Sequence, residues 1–127
     1  MQAPLIAVID DDAPTREFLD ELLTSAGYRT LLWGQGKDAH LLIRREKPDL
    51  IILDMWMEDR DAGRTVLGLM DLDPSTRRIP VIICSAHVGV ADGPVREFQA
   101  RGYVIVTKPF DTDDLLGKIR ALLGQPA

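Results

Sequence analysis

The chain has 127 residues, with 20 Asp and Glu against 15 Lys and Arg, and its formal net charge is −5. This length allows one domain with a sizeable core, and an acidic chain without a basic cluster is not typical of a nucleic-acid surface. No apolar run approaches the roughly 20 residues that span a bilayer, and the N-terminus does not resemble a signal peptide. We therefore predict a cytoplasmic domain that does not bind nucleic acid directly and does not enter a membrane. The single cysteine, Cys84, is expected to be a buried reduced thiol.

The first predicted strand is the apolar run Leu5-Ile6-Ala7-Val8-Ile9, which ends in Asp10-Asp11-Asp12. The apolar residues then recur at the spacing of a helix. They are Phe18, Leu19, Leu22, Leu23 and Ala26. Asp12 is predicted to be the N-cap of this helix, Pro14 suits its first turn, and Gly27 ends it. A helix is therefore expected directly after the first strand.

The central predicted strand is Leu50-Ile51-Ile52-Leu53, which runs straight into Asp54. A short, uniformly apolar run is typical of a strand that is buried on both faces of a parallel sheet. Before it we predict a weaker strand over 30–33, a loop over 34–36 and a helix that ends before Pro48. The carboxylate of Asp54 is then expected at the edge where open α/β sheets place their ligand crevice.

The second half of the chain repeats this alternation of helices and strands. A helix is predicted over 66–72, a strand over 81–84, a short helix over 94–100, a strand over 103–106 and a last helix N-capped by Asp111. Ser85 follows the first of these two strands, and Lys108 follows the second.

Five strands that alternate with five helices predict an α/β fold with a parallel sheet covered on both faces. Right-handed crossovers reduce the possible topologies to a doubly wound sheet. We predict a five-stranded (βα)5 domain with the flavodoxin-like strand order 2-1-3-4-5. The domain is expected to cover residues 1–124, with residues 125–127 as a tail or the start of a linker.

Polar side chains follow four of the five predicted strands, and in a parallel sheet these strand ends share one edge. The residues are Asp10, Asp11, Asp54, Ser85 and Lys108. Clustered carboxylates repel one another without a counter-charge, and Mg²⁺ suits an oxygen-only site with few protein ligands. Lysine and serine can hold the oxygens of a phosphoryl group. The set therefore predicts phosphoryl transfer onto a carboxylate, assisted by Mg²⁺.

Four stretches, in order and at matching spacing, give the chain a close resemblance to a known family. They are Val8-Ile9-Asp10-Asp11-Asp12, Pro48-Asp49-Leu50-Ile51-Ile52-Leu53-Asp54, Ile79-Pro80-Val81-Ile82-Ile83 with Ser85-Ala86, and Lys108-Pro109-Phe110. Together they resemble the CheY-like receiver domain of response regulators in two-component signalling. The resemblance covers nearly the whole chain and implies a phosphorylated signalling switch rather than a turnover enzyme.

The resemblance implies that Asp54 accepts a phosphoryl group from a sensor histidine kinase or a histidine phosphotransfer protein. It implies that Asp11 and Asp54 bind Mg²⁺ directly and that Asp10 acts mainly through water. The main-chain carbonyl of Trp56 would complete the protein ligands of the metal.

The resemblance also implies that Ser85 and Lys108 hold the phosphoryl oxygens and that the Lys108-Pro109 peptide is cis, which costs little before proline. Phosphorylation would then change the surface formed by helix 4, strand 5 and helix 5, where a downstream protein binds.

Several positions depart from the family pattern. Ile105 occupies the position of the usual switch aromatic, and Tyr103, two residues earlier, is expected on the same face of the strand. Glu58-Asp59 replaces the usual proline and glycine after the acceptor. Trp56 and His87 occupy positions that line the phosphoryl group in the family and tune its lifetime.

Two other functions stay open from the residues alone. A pseudo-receiver would have the same fold and bind a partner without cycling through phosphorylation. A haloacid-dehalogenase-type phosphatase would use Asp10 as nucleophile and Asp12 as acid, although the chain has no room for a cap domain. Acids at strand ends can also be simple helix N-caps, and the two histidines, His40 and His87, are expected to be solvated.

Overall fold

The structure is a computed structural model that describes residues 2–55, 61–85 and 98–124, except for the side chain of Ser85. The strands are β1 (Leu5–Ile9), β2 (Arg29–Trp33), β3 (Leu50–Asp54), β4 (Val81–Ser85) and β5 (Val104–Thr107). The helices are α1 (Ala13–Ser25), α2 (Ala39–Glu46), α3 (Ala62–Leu72), α4, of which residues 98–100 are described, and α5 (Thr112–Leu123). The predicted tail, residues 125–127, lies outside the described residues.

All five strands lie in one parallel sheet with the order β2-β1-β3-β4-β5, which confirms the predicted topology. At the centre of the sheet Ile9 of β1 pairs with Leu53 of β3. Asp10 and Asp54 each follow one of these paired residues, so the register brings the two acids to the same height at the carboxyl edge.

The core has two layers, one on each face of the sheet, because successive side chains of a strand point to opposite faces. On β3, Leu50 and Ile52 pack toward α1 and α5, whereas Ile51 and Leu53 pack toward α2 and α3. All four side chains are at most 2% exposed. The apolar run of β3 therefore belongs to a strand that is buried on both faces, as its sequence predicts.

The N-caps of α1 and α5 confirm the predicted helix starts. The side chain of Asp12 accepts a hydrogen bond from the N–H of Thr15 at 3.1 Å. The side chain of Asp111 accepts one from the N–H of Asp114, also at 3.1 Å. These caps fix the points at which the chain leaves the carboxyl edge of the sheet and enters a helix.

One histidine does not follow the expectation. His40, predicted to be solvated, has a side chain only 15% exposed, and its Nε2 lies 2.9 Å from Oδ2 of Asp73. The contact joins α2 to the segment after α3, and a sequence cannot reveal such a pair because its members are 33 positions apart. In the described part of the chain, no helix has the length and apolar character required to cross a membrane.

Candidate functional site

Three charged side chains meet at the carboxyl edge because each lies on the same face of the sheet. Asp10, Asp54 and Lys108 each continue the alternating set of β1, β3 or β5 that packs toward α1 and α5. Their side chains therefore project toward the same face, just beyond the last apolar layer. The same alternation that builds the core thus assembles the site.

The carboxylates of Asp10, Asp11 and Asp54 form a cluster whose oxygens lie within 4.8 Å of one another. Asp10 is 2% exposed and Asp54 is 5% exposed, while Asp11 is open to solvent. Two buried carboxylates beside a third require a positive charge nearby to stay ionised. An oxygen-only set that is open on one side fits a hard divalent cation that keeps some of its water.

Lys108 supplies a positive charge to this cluster. Its Nζ donates a hydrogen bond to Oδ2 of Asp10 at 2.8 Å and lies 3.6 Å from Oδ2 of Asp54. Burial of the ammonium works against its charge, but the hydrogen bond to Asp10 and the nearby carboxylates outweigh burial and raise the pKa of Lys108. The lysine is therefore a cation at physiological pH. The Lys108-Pro109 peptide is cis, as expected.

Asp10 is held by contacts to both its side chain and its main chain. Oδ1 accepts a hydrogen bond from the N–H of Asp12 at 2.9 Å, while Oδ2 is bound by Lys108. The N–H of Asp10 donates to the carbonyl of Trp33 at 3.0 Å. Its carbonyl accepts a hydrogen bond from Nη1 of Arg16 at 2.7 Å. Sequence reasoning missed Arg16, although a lone cation near the N-terminus of a helix, just after three acids, was a usable signal.

The roles of some predicted site residues stay predictions because their side chains are not among the described parts of the structure. Ser85 pairs with Thr107, the residue before Lys108, in the sheet register. The side chain of Ser85 is not described. Trp56 and His87 lie outside the described residues, as does Glu58-Asp59.

The two residues considered for the switch share one face of the sheet, as predicted. Ile105 and Tyr103 both pack against the core layer on the α2 and α3 side. The ring of Tyr103 meets Phe98 of α4 edge to face, with centroids 6.0 Å apart. Burial of the phenol raises the pKa of Tyr103. This contact ties the segment before β5 to the described end of α4.

An apolar concavity of about 330 Å³ opens directly beside the lysine. It is lined by Pro14, Thr15, Phe18, Lys108, Pro109 and Phe110. The rings of Phe18 and Phe110 are parallel, with centroids 6.3 Å apart, and Phe18 is 43% exposed. Apolar surface of this concavity therefore borders the charged cluster.

The geometry does not favour the phosphatase alternative. In that hypothesis Asp12 acts as a general acid, but here its side chain caps α1. The hydrogen bond from the Thr15 hydroxyl, followed by that from the Thr15 N–H, lowers the pKa of Asp12. A carboxyl with a lowered pKa is poorly suited to hold a proton near neutral pH.

Comparison with known proteins gives one consistent result. The family model of the response regulator receiver domain matches residues 6–120. The phosphate regulon transcriptional regulatory protein PhoB of Pseudomonas aeruginosa is 33% identical over 123 residues, which are 97% of this chain and 53% of that protein. The chain therefore spans about half the length of this curated relative.

Solved structures give the same picture. The receiver domain of Francisella response regulator 1452 is 28% identical, with a TM-score of 0.79, and the match covers 94% of this chain and 95% of that one. The receiver domain of the sensor histidine kinase PA1611 of Pseudomonas aeruginosa, solved with a magnesium ion in its active-site cleft, has a TM-score of 0.81. It is 23% identical, with 96% of this chain and 98% of that chain covered, and at this identity the likeness concerns the fold.

Proposed function

Because this chain belongs to the response regulator receiver domain family, we propose that it is a phosphoacceptor switch in which Asp54 is the acceptor. The observation that carries the proposal is the position of Lys108, 2.8 Å from Asp10 and 3.6 Å from Asp54, beside a three-carboxylate cluster. A buried nucleophile, a fixed cation and an oxygen-only metal set are the parts that phosphoryl transfer to a carboxylate requires.

In the proposed reaction an Oδ atom of Asp54 attacks the phosphorus of a phosphohistidine. The P–O bond forms as the P–N bond breaks, and the electron pair of the broken bond returns to the donor imidazole, which takes a proton from solvent. Lys108 is close enough to turn from Asp10 toward a phosphoryl oxygen on Asp54. Ser85, at the end of the neighbouring strand, is proposed as a second contact to those oxygens.

Mg²⁺ is the cofactor that the donor set fits best. Asp11 and Asp54 would hold the ion, with Asp10 acting mainly through water and the Trp56 carbonyl as a further ligand. When bound, Mg²⁺ offsets the charge of the carboxylates and of the phosphoryl oxygens. The magnesium ion in the related receiver domain of PA1611 supports this choice.

The proposed phosphodonor is a sensor histidine kinase or a histidine phosphotransfer protein. The concavity beside Lys108 supports a protein donor, because its apolar lining borders the acceptor site and includes the exposed ring of Phe18. A partner that packs there brings its phosphohistidine within reach of Asp54. Phosphorylation would then alter the α4–β5–α5 surface, beneath which Phe98 and Tyr103 are in contact. A downstream protein would bind to the altered surface.

The absence of direct nucleic-acid contact stays a prediction for this chain. PhoB is named a transcriptional regulatory protein, and this chain corresponds to about half of it. The pseudo-receiver, a module that binds without cycling, is the second candidate. The departure at Glu58-Asp59 is the sequence feature that keeps it as an alternative, and the intact acidic site argues against it.

Radiolabel from a phosphoramidate donor, supplied with Mg²⁺, tests the proposal. Wild type should become labelled, and hydroxylamine should remove the label because an acyl phosphate reacts with it. Asp54→Asn should take up no label. Asp113→Asn, which removes an exposed carboxylate in the first turn of α5, should label like wild type. Equal labelling of Asp54→Asn and wild type would exclude Asp54 as the acceptor, and an unlabelled wild type would favour the pseudo-receiver.

A further inference from the structure

Arg16 is a cation near the start of α1, just after three acids. It is the fourth residue of α1, near the N-terminus of the helix, where the helix macrodipole favours negative charge. The first turn of α1 contains no acidic residue, but its N-cap is the carboxylate Asp12, which follows Asp10 and Asp11. The side chain is only partly exposed, which is unusual for an arginine on a surface helix. A tertiary contact of the guanidinium accounts for this partial burial.

That contact is the hydrogen bond to the main chain of Asp10. Nη1 of Arg16 donates to the Asp10 carbonyl at 2.7 Å, a distance typical of a charged donor. On the other side of the same residue, the N–H of Asp10 is bound by Trp33. The main chain at Asp10 is therefore fixed at both ends, although β1 itself ends at Ile9.

The residue after β2 leaves room for this guanidinium. A Cβ added to Gly34 would lie 2.9 Å from Nη1 and 3.2 Å from Cζ of Arg16, so any side chain there would displace the guanidinium. The backbone of Gly34 has no positive φ. A side chain at this position would thus conflict with the guanidinium of Arg16 and not with the backbone conformation.

We propose that Arg16 is a positioning residue for the carboxylate cluster: its guanidinium, seated over Gly34, fixes the main chain of Asp10 so that Asp10 and Asp11 present their carboxylates to Mg²⁺. The role rests on the proposed function, since it concerns the metal of the same site. It also extends that function to two residues, on α1 and after β2, that touch neither the metal nor the phosphoryl group.

Two variants test the geometry separately from the charge. Gly34→Ala keeps the charge of Arg16 and moves its guanidinium, and the flexible end of that side chain can shift without distorting the fold. Arg16→Gln removes the charge and the charged hydrogen bond. Removal of a positive charge beside three carboxylates should by itself favour a divalent cation, so weaker Mg²⁺ binding in this variant indicates lost positioning.

Each variant has a matched control. Gly68→Ala adds the same methyl group to the surface of α3, where a Cβ meets nothing within 4 Å. Arg45→Gln removes an exposed arginine of α2, whose side chain is 72% exposed. Both controls should bind Mg²⁺ like wild type.

The measurement is the Kd for MgCl₂ by isothermal titration calorimetry, together with amide exchange of the metal-free protein. Gly34→Ala and Arg16→Gln should each weaken Mg²⁺ binding about tenfold, as loss of an outer-shell partner typically does. Exchange of the Asp12 N–H, which is bonded to Oδ1 of Asp10, should be faster in both variants. A merely structural role would lower the thermal midpoint and leave the Kd of the folded protein unchanged.

Wild-type or tighter Mg²⁺ binding in either variant would overturn the positioning role. If wild type itself binds no Mg²⁺, the proposed function fails on its own account. In that case amide exchange decides: faster exchange of the Asp12 N–H in both variants supports the positioning of Asp10 by Arg16, and unchanged exchange in either contradicts it.

Discussion

Lys108 gives its hydrogen bond to Asp10, with Nζ 2.8 Å from Oδ2, and stands 3.6 Å from Oδ2 of Asp54. The proposed phosphate-binding lysine is thus held by a carboxylate that is not the proposed acceptor. A phosphoryl group on Asp54 would compete with Asp10 for the same ammonium. The relationship gives Lys108 two separate roles, as the counter-charge of the cluster and as a contact to the phosphoryl oxygens.

Replacement of Lys108 by alanine should destabilise the metal-free protein. The change leaves the buried carboxylates of Asp10 and Asp54 without their ammonium, and loss of one partner of a buried ion pair costs about 3 kcal/mol. Urea unfolding in EDTA measures this loss. Millimolar Mg²⁺ should restore part of it, because a bound cation replaces the missing positive charge and stabilises only the folded state.

The matched control for this loss is Lys118→Ala. Lys118 pairs with Asp114 at 2.6 Å on the exposed surface of α5, and such helical pairs contribute below about 0.5 kcal/mol. Neither EDTA nor Mg²⁺ should change its effect. An equal cost for Lys108→Ala and Lys118→Ala would mean that the cluster does not depend on Lys108.

Alkaline solution should destabilise the protein partly through Cys84. Burial of the thiol raises the pKa of Cys84 from 9.0 to about 12. A raised pKa in the folded state adds stability that is complete below the unfolded pKa and is lost as the pH rises through the folded pKa. Between about pH 8 and about pH 10.5, this thiol should account for about 2 kcal/mol of lost unfolding free energy.

Cys84→Ala isolates this contribution, because tyrosines and lysines titrate equally in both proteins. The free energy of unfolding of the variant should fall less steeply with pH than that of wild type. Parallel pH profiles would contradict the assigned burial of the thiol. At neutral pH the folded wild type should resist thiol reagents, since Cys84 is 1% exposed.

Asp12 should matter for stability and not for phosphorylation. Asp12→Ala removes the cap of α1 and should lower the thermal midpoint, whereas Asp12→Asn can still accept from the N–H of Thr15 and should preserve it. Both variants should still take up phosphate from acetyl phosphate. Loss of phosphate uptake in Asp12→Asn, with an unchanged thermal midpoint, would revive the hypothesis that Asp12 is a general acid.

The fold could be predicted from the sequence because local signals agree with one another. The apolar runs of β1 and β3, the caps at Asp12 and Asp111, and the alternation of periods each indicated the same α/β order. The placement of Asp10, Asp54 and Lys108 at one edge also followed, since parallel strands end together.

The contacts between distant residues could not be predicted in the same way. Whether Lys108 bonds to Asp10 or to Asp54 depends on distances that differ by less than 1 Å, and no sequence pattern encodes them. The contact of the Arg16 guanidinium with Gly34 depends on where β2 ends relative to α1. Such contacts arise from tertiary packing. They can be read from the folded structure but not from the sequence alone.

The most direct test of the account is the intact mass of the protein after incubation with acetyl phosphate and Mg²⁺. Wild type should gain the mass of one phosphoryl group, and Asp54→Asn, treated side by side, should gain none. The same gain in Asp54→Asn would place the acceptor elsewhere. No gain in wild type would contradict the phosphoacceptor role and leave a receiver fold that signals by binding alone.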